Sequence, residues 1–211
     1  MIDLQHNQIK QFYVNYALAT QTLVGGGTMQ LVTEYVRDHL GEDDVYLEVG
    51  CYQAWSFSMV CHFAKCECLA VDNVSQDFQE NLRYDLPTRE LVLRNIDTIG
   101  RANGKLLEGD FRERLQTGLE DIKGRVKFYF YDGPHEEQDQ IDGVEMAMHL
   151  LADEAYILVD DWGSENVKTS TKHLVKTHPE ISLVKVFDGP EIESSSIKGR
   201  SSSSLQGVRN D

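Results

Sequence analysis

Basic residues are scarce in this chain of 211 residues. Its 20 lysines and arginines are outnumbered by 35 aspartates and glutamates, so the formal net charge is −15. A surface of this sign repels the phosphates of nucleic acids and of anionic membranes, and we expect neither as a partner. No apolar run reaches the ~18 residues that a membrane helix needs, and the N-terminus has no basic segment followed by an apolar one. These absences predict a soluble, cytoplasmic protein of a single domain.

Cysteine is also sparse, with four residues at positions 51, 61, 66 and 68. No two of them have the C-x-x-C spacing that is typical of zinc-finger and redox sites. Cys66 and Cys68 alternate along a predicted strand, which favours packing over metal binding. We expect reduced thiols, in agreement with a cytoplasmic location.

Short apolar runs alternate with stretches of helical periodicity over most of the chain. This alternation predicts an α/β fold: one doubly wound, Rossmann-like domain with a mostly parallel seven-stranded sheet and helices on both faces. The predicted strands, with their exits, cover residues 45–49, 66–71, 105–110, 126–131, 155–159, 183–187 and, as a short last strand, 205–208.

Two segments lie outside this alternation. Residues 1–24 form an N-terminal lead-in, and the domain covers residues 25–211, with Thr28 as a helix cap after three glycines. Residues 190–204 are rich in serine and lack periodicity, which predicts a mobile surface loop. A lid over the substrate is the alternative for this loop.

The segment 46–56 contains the most informative turn. A short apolar run includes Glu48, and Gly50 follows two residues later, before a helical pattern begins. Glycine at such a turn permits backbone angles and a close approach that a side chain forbids. A carboxylate there would repel a pyrophosphate but attract an ammonium or sulfonium group. The turn therefore favours S-adenosylmethionine over NAD.

Almost every predicted strand ends in an acidic residue. Ligands of open parallel sheets bind beyond the carboxyl ends of the strands, so these acids lie at one edge. Asp72 follows Gly50 by 22 residues, the spacing at which an acid can accept the hydroxyls of an adenosine ribose. A helix N-cap formed with Asn73 or Ser75 is the alternative. The full set of acids is Glu48, Asp72, Asp110, Asp132, Asp160 and Asp161.

Three of these acids, Asp132, Asp160 and Asp161, come from two strand ends that a doubly wound sheet can bring together. Such carboxylates repel each other unless a cation lies among them, and hard oxygen ligands favour Mg²⁺, Mn²⁺ or Ca²⁺ over zinc. The alternative is that Asp160 or Asp161 caps the next helix. His135 follows Asp132 by three residues and is a candidate general base, because an ordinary imidazole has a pKa near neutrality. A surface histidine at a helix start is the alternative.

At these positions the chain resembles the class I S-adenosylmethionine-dependent methyltransferases. Within them it is most similar to the metal-dependent O-methyltransferases of the catechol and macrocin kind. The segment 48–56 resembles their first motif, E-x-G-x-x-x-G-x-S, with Ala54 in place of the last glycine. The resemblance covers about residues 24–188, and its further motifs fall on residues 25–29, 72, 109–111, 131–135 and 160–161.

The resemblance implies a role for each matching residue. Asp132 binds metal, together with the Asp160–Asp161 pair, which stands where the family has Asp-Asn. His135 is the implied catalytic residue, at the position of the lysine of the catechol enzymes, which moves the chain towards sugar-type or other hydroxyl acceptors. The implied cofactor-binding residues are Gly27, Thr28, Glu48, Gly50, Tyr52, Ser56, Asp72, Asn73, Asp110, Phe111 and Asp132.

The implied activity is methyl transfer from S-adenosylmethionine to a hydroxyl of a small molecule, assisted by Mg²⁺ or, instead, Mn²⁺ or Ca²⁺. Two other classes stay open. One is an NAD-linked oxidoreductase, against which Glu48 and the absence of a G-x-G-x-x-G motif argue. The other is a non-catalytic module that keeps the same fold. The identity of the acceptor and the oligomeric state also stay open, a homodimer being one option.

Overall fold

Helices and strands follow one another in the order that the apolar pattern indicates. The computed structural model describes residues 26–74, 89–98, 104–187 and 194–200. The helices are α1 (Gly26–His39), α2 (Trp55–Phe63), α3 (Arg89–Thr98), α4 (Phe111–Gln116), α5 (Glu137–Ala147) and α6 (Glu165–Thr177). The strands are β1 (Val45–Val49), β2 (Glu67–Asp72), β3 (Gly104–Glu108), β4 (Val126–Tyr131), β5 (Leu151–Asp160), β6 (Ile181–Phe187) and β7 (Ser194–Arg200).

The strands of the described residues form one sheet in the order β3-β2-β1-β4-β5-β7-β6. β1 pairs in parallel with β2 on one side and with β4 on the other. β3 pairs in parallel with β2, and β5 pairs in parallel with β4. The strand order therefore reverses between β1 and β4, and ligands of open α/β sheets bind at such a point. The predicted Rossmann-like α/β architecture is confirmed.

Side chains of β1 alternate between two hydrophobic cores, because successive residues of a strand point to opposite faces. Val45, Leu47 and Val49 pack in a cluster with residues of α4, α5 and α6, whereas Tyr46 packs in another with residues of α1, α2 and α3. Helices therefore cover both faces of the sheet. Glu48 lies on the face of Tyr46 and is fully buried.

The serine-rich segment departs most from its prediction. Ser194–Arg200 form β7, which pairs antiparallel with both β5 and β6. The prediction of a mobile loop over residues 190–204 is therefore wrong for this stretch. Backbone N–H and C=O groups make the pairing, so a strand with neighbours on both sides can form without apolar alternation. The strand predicted at 205–208 and the lead-in at 1–24 lie outside the described residues.

The start of α1 also differs from its prediction. The helix begins at Gly26, so Thr28 lies in its first turn and is not its cap. Glycine within the first turn is tolerated because the first N–H groups of a helix have no partner inside it. The described side chains begin at Met29, so the contacts of Gly27 and Thr28 with a cofactor stay predictions. None of the described helices is both long and apolar enough to cross a bilayer.

Candidate active site

The carboxyl ends of β1, β4 and β5 lie level with one another. Val49 pairs with Tyr131, and Tyr131 pairs with Val159 in the next ladder. The residues that follow these three therefore meet at one edge of the sheet, where the strand order reverses. The acids predicted for the strand ends lie at this edge.

Gly50 allows the loop after β1 to pack against the end of β4. Its φ of +81° lies in the left-handed region that favours glycine. A Cβ at this position would lie only 2.1 Å from the carbonyl oxygen of Asp132. The sequence pattern attributes Gly50 to the approach of a ligand, whereas the structure shows that the neighbouring backbone already requires it.

The rest of this loop keeps an unusual backbone conformation. Tyr52 and Ala54 have φ values of 48° and 57°, and such left-handed geometry costs a non-glycine residue ~1–2 kcal/mol. Ala54 thus takes the conformation of the motif glycine that it replaces. From the neighbouring helix α3, Asn95 Nδ2 donates a hydrogen bond to the carbonyl oxygen of Gln53 in this loop at 2.8 Å. The loop is held in shape by the surrounding protein.

We expect Gly50→Ala to lower the free energy of unfolding by ~2–4 kcal/mol, because it adds a backbone clash to an unfavourable φ. Gly118→Ala is the matched control, since Gly118 has a φ of +85° but nothing within 4 Å of an added Cβ. That control should cost only ~1 kcal/mol. Urea unfolding measures both losses. Equal losses would contradict the role of the contact with Asp132.

Glu48 is a fully buried carboxyl group with two hydroxyl donors. Tyr46 Oη donates to its Oε2 and Ser56 Oγ donates to its Oε1, each at 2.5 Å. Burial raises the pKa of Glu48 to about 7, the two hydroxyl bonds oppose this rise, and the charges of Asp72 and Asp160 add to it. Both donors are neutral, so the carboxylate would gain strongly from a cationic ligand.

Asp72 holds the loop after β1 from the side of β2. Its Oδ2 accepts hydrogen bonds from the backbone N–H groups of Cys51 at 2.7 Å and Tyr52 at 2.9 Å. Its Oδ1 accepts one from the N–H group of Val74 at 2.6 Å. The ribose contacts predicted for Asp72 and Asn73 stay predictions, and the helix start at which Asp72 could act as a cap lies outside the described residues.

Replacing Asp72 with alanine should destabilise the protein even without a ligand. Two N–H groups of the loop lose their acceptor, which costs ~1–3 kcal/mol. Binding of S-adenosylhomocysteine should weaken at the same time, because the loop loses its support. Asp72→Asn keeps a side-chain oxygen and should retain more stability. Thermal unfolding and calorimetry measure the two effects; wild-type values for Asp72→Ala would show that the loop does not depend on these bonds.

The turn after β3 has a structural role that the sequence pattern did not predict. Asp110 caps α4 by accepting hydrogen bonds from the backbone N–H groups of Arg112 at 2.9 Å and Glu113 at 3.4 Å. Phe111 is buried edge-on against the ring of Tyr131, and the Arg112 guanidinium covers its ring at 4.5 Å. The Phe111 ring packs in the hydrophobic core. The adenine contacts predicted for Asp110 and Phe111 stay predictions.

Asp132, His135 and Asp161 come together at the same edge. One nitrogen or oxygen of each lies within 4.8 Å of those of the other two, the spacing of possible metal ligands among the described residues. His135 Nε2 lies 2.7 Å from Asp161 Oδ2, and these side chains are 39% and 40% exposed, so a small molecule can reach them. Asp160, predicted as a third carboxylate ligand, is not part of this group.

The helix-cap alternative for the double aspartate is wrong. Ser164 is the N-cap of α6, so neither Asp160 nor Asp161 has that role. Asp161 instead has a left-handed φ of 56°, an uncommon conformation that aspartate tolerates better than most residues. This turn brings Asp161 to His135.

Burial and negative charge act together on Asp132. Burial raises its pKa well above the usual range, and the charges of Asp160 and Asp161 raise it further. The bond between His135 and Asp161 raises the pKa of the imidazole and lowers that of the carboxyl. A cation placed beside Asp132 would oppose the rise in the pKa of this residue and favour its carboxylate form.

One protein family matches most of the region just described. The Methyltransferase domain family matches residues 47–162, more than half of the chain. The chain belongs to this family. The match runs from β1 to the residue after Asp161, so it includes the loop after β1 and the Asp132, His135 and Asp161 group.

Several solved structures share this fold at low sequence identity. The cofactor-bound Rv0187 from MTB is 13% identical with a TM-score of 0.66, over 91% of this chain and 89% of that one. The O-methyltransferase TomG from Streptomyces achromogenes, involved in tomaymycin synthesis and solved with SAM, is 11% identical with a TM-score of 0.63, over 95% and 91%. The O-methyltransferase from Bacillus cereus in complex with SAH is 14% identical with a TM-score of 0.61, over 95% and 92%.

At these identities the likeness shows the fold alone, and no curated protein matches the chain significantly. Family and fold together confirm the resemblance to class I S-adenosylmethionine-dependent methyltransferases. The match to a methyltransferase domain gives no support to the alternative of an NAD-linked oxidoreductase.

Two contacts of this methyltransferase domain involve residues outside the sequence motifs. Tyr46 bonds to Glu48, and Asn95 bonds to the loop at Gln53. The period of two along β1 could have revealed Tyr46, since residues two apart in a strand share a face. No sequence pattern links Asn95 to Gln53, because the pairing depends on how α3 packs.

Proposed function

We propose that this methyltransferase-domain protein is an S-adenosylmethionine-dependent O-methyltransferase that acts on a hydroxyl of a small molecule with the help of a divalent cation. The observation that carries the proposal is the Asp132, His135 and Asp161 group, which lies at the same sheet edge as the loop after β1. The net charge of −15 makes nucleic acid an unfavourable acceptor. The O-methyltransferase neighbours support the same choice of acceptor atom.

The loop after β1 fits the proposed cofactor. A buried carboxyl with a pKa of about 7 gains from an ammonium group and opposes a pyrophosphate. S-adenosylmethionine, when bound, supplies a methyl group on a sulfonium centre that an oxygen nucleophile can attack. The residues that would hold it are Gly27, Thr28, Glu48, Gly50, Tyr52, Ser56, Asp72, Asn73, Asp110, Phe111 and Asp132.

The acidic group fits a divalent cation, because a cation beside Asp132 would offset the burial and the neighbouring negative charges that raise its pKa. Asp132 and Asp161 would hold the ion, and Asp160, which lies outside their compact group, is not proposed as a ligand. Mg²⁺ is the proposed ion, and Mn²⁺ and Ca²⁺ share its preference for carboxylate oxygens. Such a cation, when bound, lowers the pKa of an acceptor hydroxyl.

His135 is proposed to take the proton from the acceptor hydroxyl. Its Nε2 is bonded to Asp161, which fixes the orientation of the ring. This leaves Nδ1 as the atom that accepts the proton. A fixed base next to a fixed acceptor lowers the barrier through positioning as well as through proton transfer.

Calorimetric titration tests the cofactor assignment. We expect S-adenosylhomocysteine to bind and NAD to bind far more weakly, with or without Mg²⁺. Tighter binding of NAD would overturn the assignment, whatever the acceptor is.

A screen with labelled S-adenosylmethionine tests the reaction. Catechols, flavonoids, sugars and small hydroxylated metabolites are the acceptors to compare, each with Mg²⁺ and with a chelator. We expect chelation to abolish methyl transfer and to leave S-adenosylhomocysteine binding largely intact, and Asp161→Ala to do the same. Full transfer in chelator would indicate a metal-free acid–base enzyme. Binding without transfer to any acceptor would indicate a non-catalytic module.

A further inference from the structure

A buried tyrosine contacts the acid that is proposed to meet the cofactor. Tyr46 and Glu48 lie two residues apart in β1 and therefore on the same face of the sheet. Tyr46 Oη donates to one carboxylate oxygen and Ser56 Oγ to the other, each at 2.5 Å. Tyr46 and Glu48 are both 0% exposed, so bulk water does not reach this bond.

The ring of Tyr46 is fixed within the core. It packs against Phe57 of α2, with ring centroids 6.4 Å apart, and against Phe128 of β4, with ring centroids 6.0 Å apart. A ring held by two aromatic neighbours keeps its hydroxyl in one place. The carboxylate of Glu48 therefore has a rigid donor on its core side, and a charged group supported in this way is preorganised for a ligand.

The other titratable groups around Glu48 disfavour its ionised form. Burial and the charges of Asp72 and Asp160 raise its pKa, whereas the bonds from Tyr46 and Ser56 lower it. The two hydroxyls therefore favour the ionised carboxylate against the burial and the charges that disfavour it. The titratable groups that interact with Glu48 or Tyr46 from the elements around them are Cys51, Cys61, Cys68, Asp72, Asp132 and Asp160.

We infer that Tyr46 is a positioning residue for cofactor binding: its buried hydroxyl orients the Glu48 carboxylate and stabilises the ionised form that receives the ammonium group of S-adenosylmethionine. Tyr46 does not touch the ligand and acts through Glu48. The inference rests on the proposed function.

The test is the affinity of wild type and Tyr46→Phe for S-adenosylhomocysteine, measured by calorimetry from pH 5.5 to 9. In wild type the affinity should rise as Glu48 ionises, around pH 7. Losing a hydrogen bond to a charged group should move this rise upwards by about one to two pH units. At pH 7.5 the variant should bind about tenfold more weakly than wild type, and this ratio should narrow as the pH rises towards 9.

Tyr129→Phe is the matched control. Tyr129 is also fully buried, lies in the neighbouring strand β4, and donates its hydroxyl to the carbonyl oxygen of Gly143 at 2.7 Å. This control loses a buried hydrogen bond of similar length without changing Glu48, so its pH profile should match that of wild type. An unchanged profile in Tyr46→Phe, or the same change in both variants, would overturn the inference. Absence of binding by wild type would instead overturn the proposed function.

Discussion

Replacing His135 with alanine should lower the turnover number for methyl transfer by about 10²–10⁴-fold, the usual effect of removing a positioned acid or base. The affinity for S-adenosylhomocysteine should change little, because His135 belongs to the acidic group and not to the loop after β1. Single-turnover assays with labelled cofactor and saturating acceptor measure the chemical step directly. Asp161→Asn should also lower turnover, since it weakens both the orientation of the imidazole and the proposed cation site.

His178 offers a matched control for this substitution. It is the second histidine of the described residues that is paired with a carboxylate, and its Nε2 lies 2.9 Å from Glu145 Oε1. It follows the last turn of α6, away from the carboxyl edge of the sheet. His178→Ala removes a comparable ion pair and should leave turnover unchanged. Similar turnover in the two alanine variants would show that His135 does not act on the reacting hydroxyl.

Glu48→Gln should stabilise the folded protein near neutral pH and weaken its binding of the cofactor. Burial raises the pKa of Glu48 from its usual 4.5 to about 7. The folded-state pKa lies above the unfolded one, so the stabilising contribution is complete below pH 4.5 and is lost as the pH rises to about 7. Above that pH, ionised Glu48 costs wild type about 3 kcal/mol. Glutamine does not ionise and avoids this cost.

Urea unfolding of wild type and Glu48→Gln from pH 4.5 to 8 measures the stability difference. The difference should widen up to about pH 7 and then stay level. Calorimetry at pH 8 should show S-adenosylhomocysteine bound ~10–100-fold more weakly by the variant, as for a lost bond to a charged group. The exposed Glu90→Gln is the control and should change neither quantity. A pH-independent difference in stability would show that Glu48 is not the titrating group.

The apolar runs were enough to predict the parallel core of the fold. β1 was predicted to cover residues 45–49 and has these bounds in the structure, because a buried run flanked by acids and a glycine leaves little choice. β7 could not be predicted in this way. Its serines carry no period-two pattern, and its place between β5 and β6 depends on backbone pairing with both.

The strand-end acids were predicted at the correct edge, but their partners were not. A strand pattern shows where an acid leaves the sheet, whereas the loop conformation decides what its side chain meets. The left-handed Asp161 brings its carboxylate to His135, so this pair and Asp132 form the compact group and Asp160 stays outside it. Asp72 was likewise placed at the end of β2, yet its bonds to the loop N–H groups depend on the conformation of Tyr52.

Among the strands that the structure describes, β1 is the first to be synthesised and also a central one. Its pairing with β2 becomes possible soon after it leaves the ribosome, but its other edge pairs with Val126–Tyr131, which is made much later. Until then the nascent chain carries an open strand edge beside apolar side chains, a surface that associates readily with other chains and calls for chaperones. The shortest nascent chain that can pair both edges of its central strand therefore extends through β4.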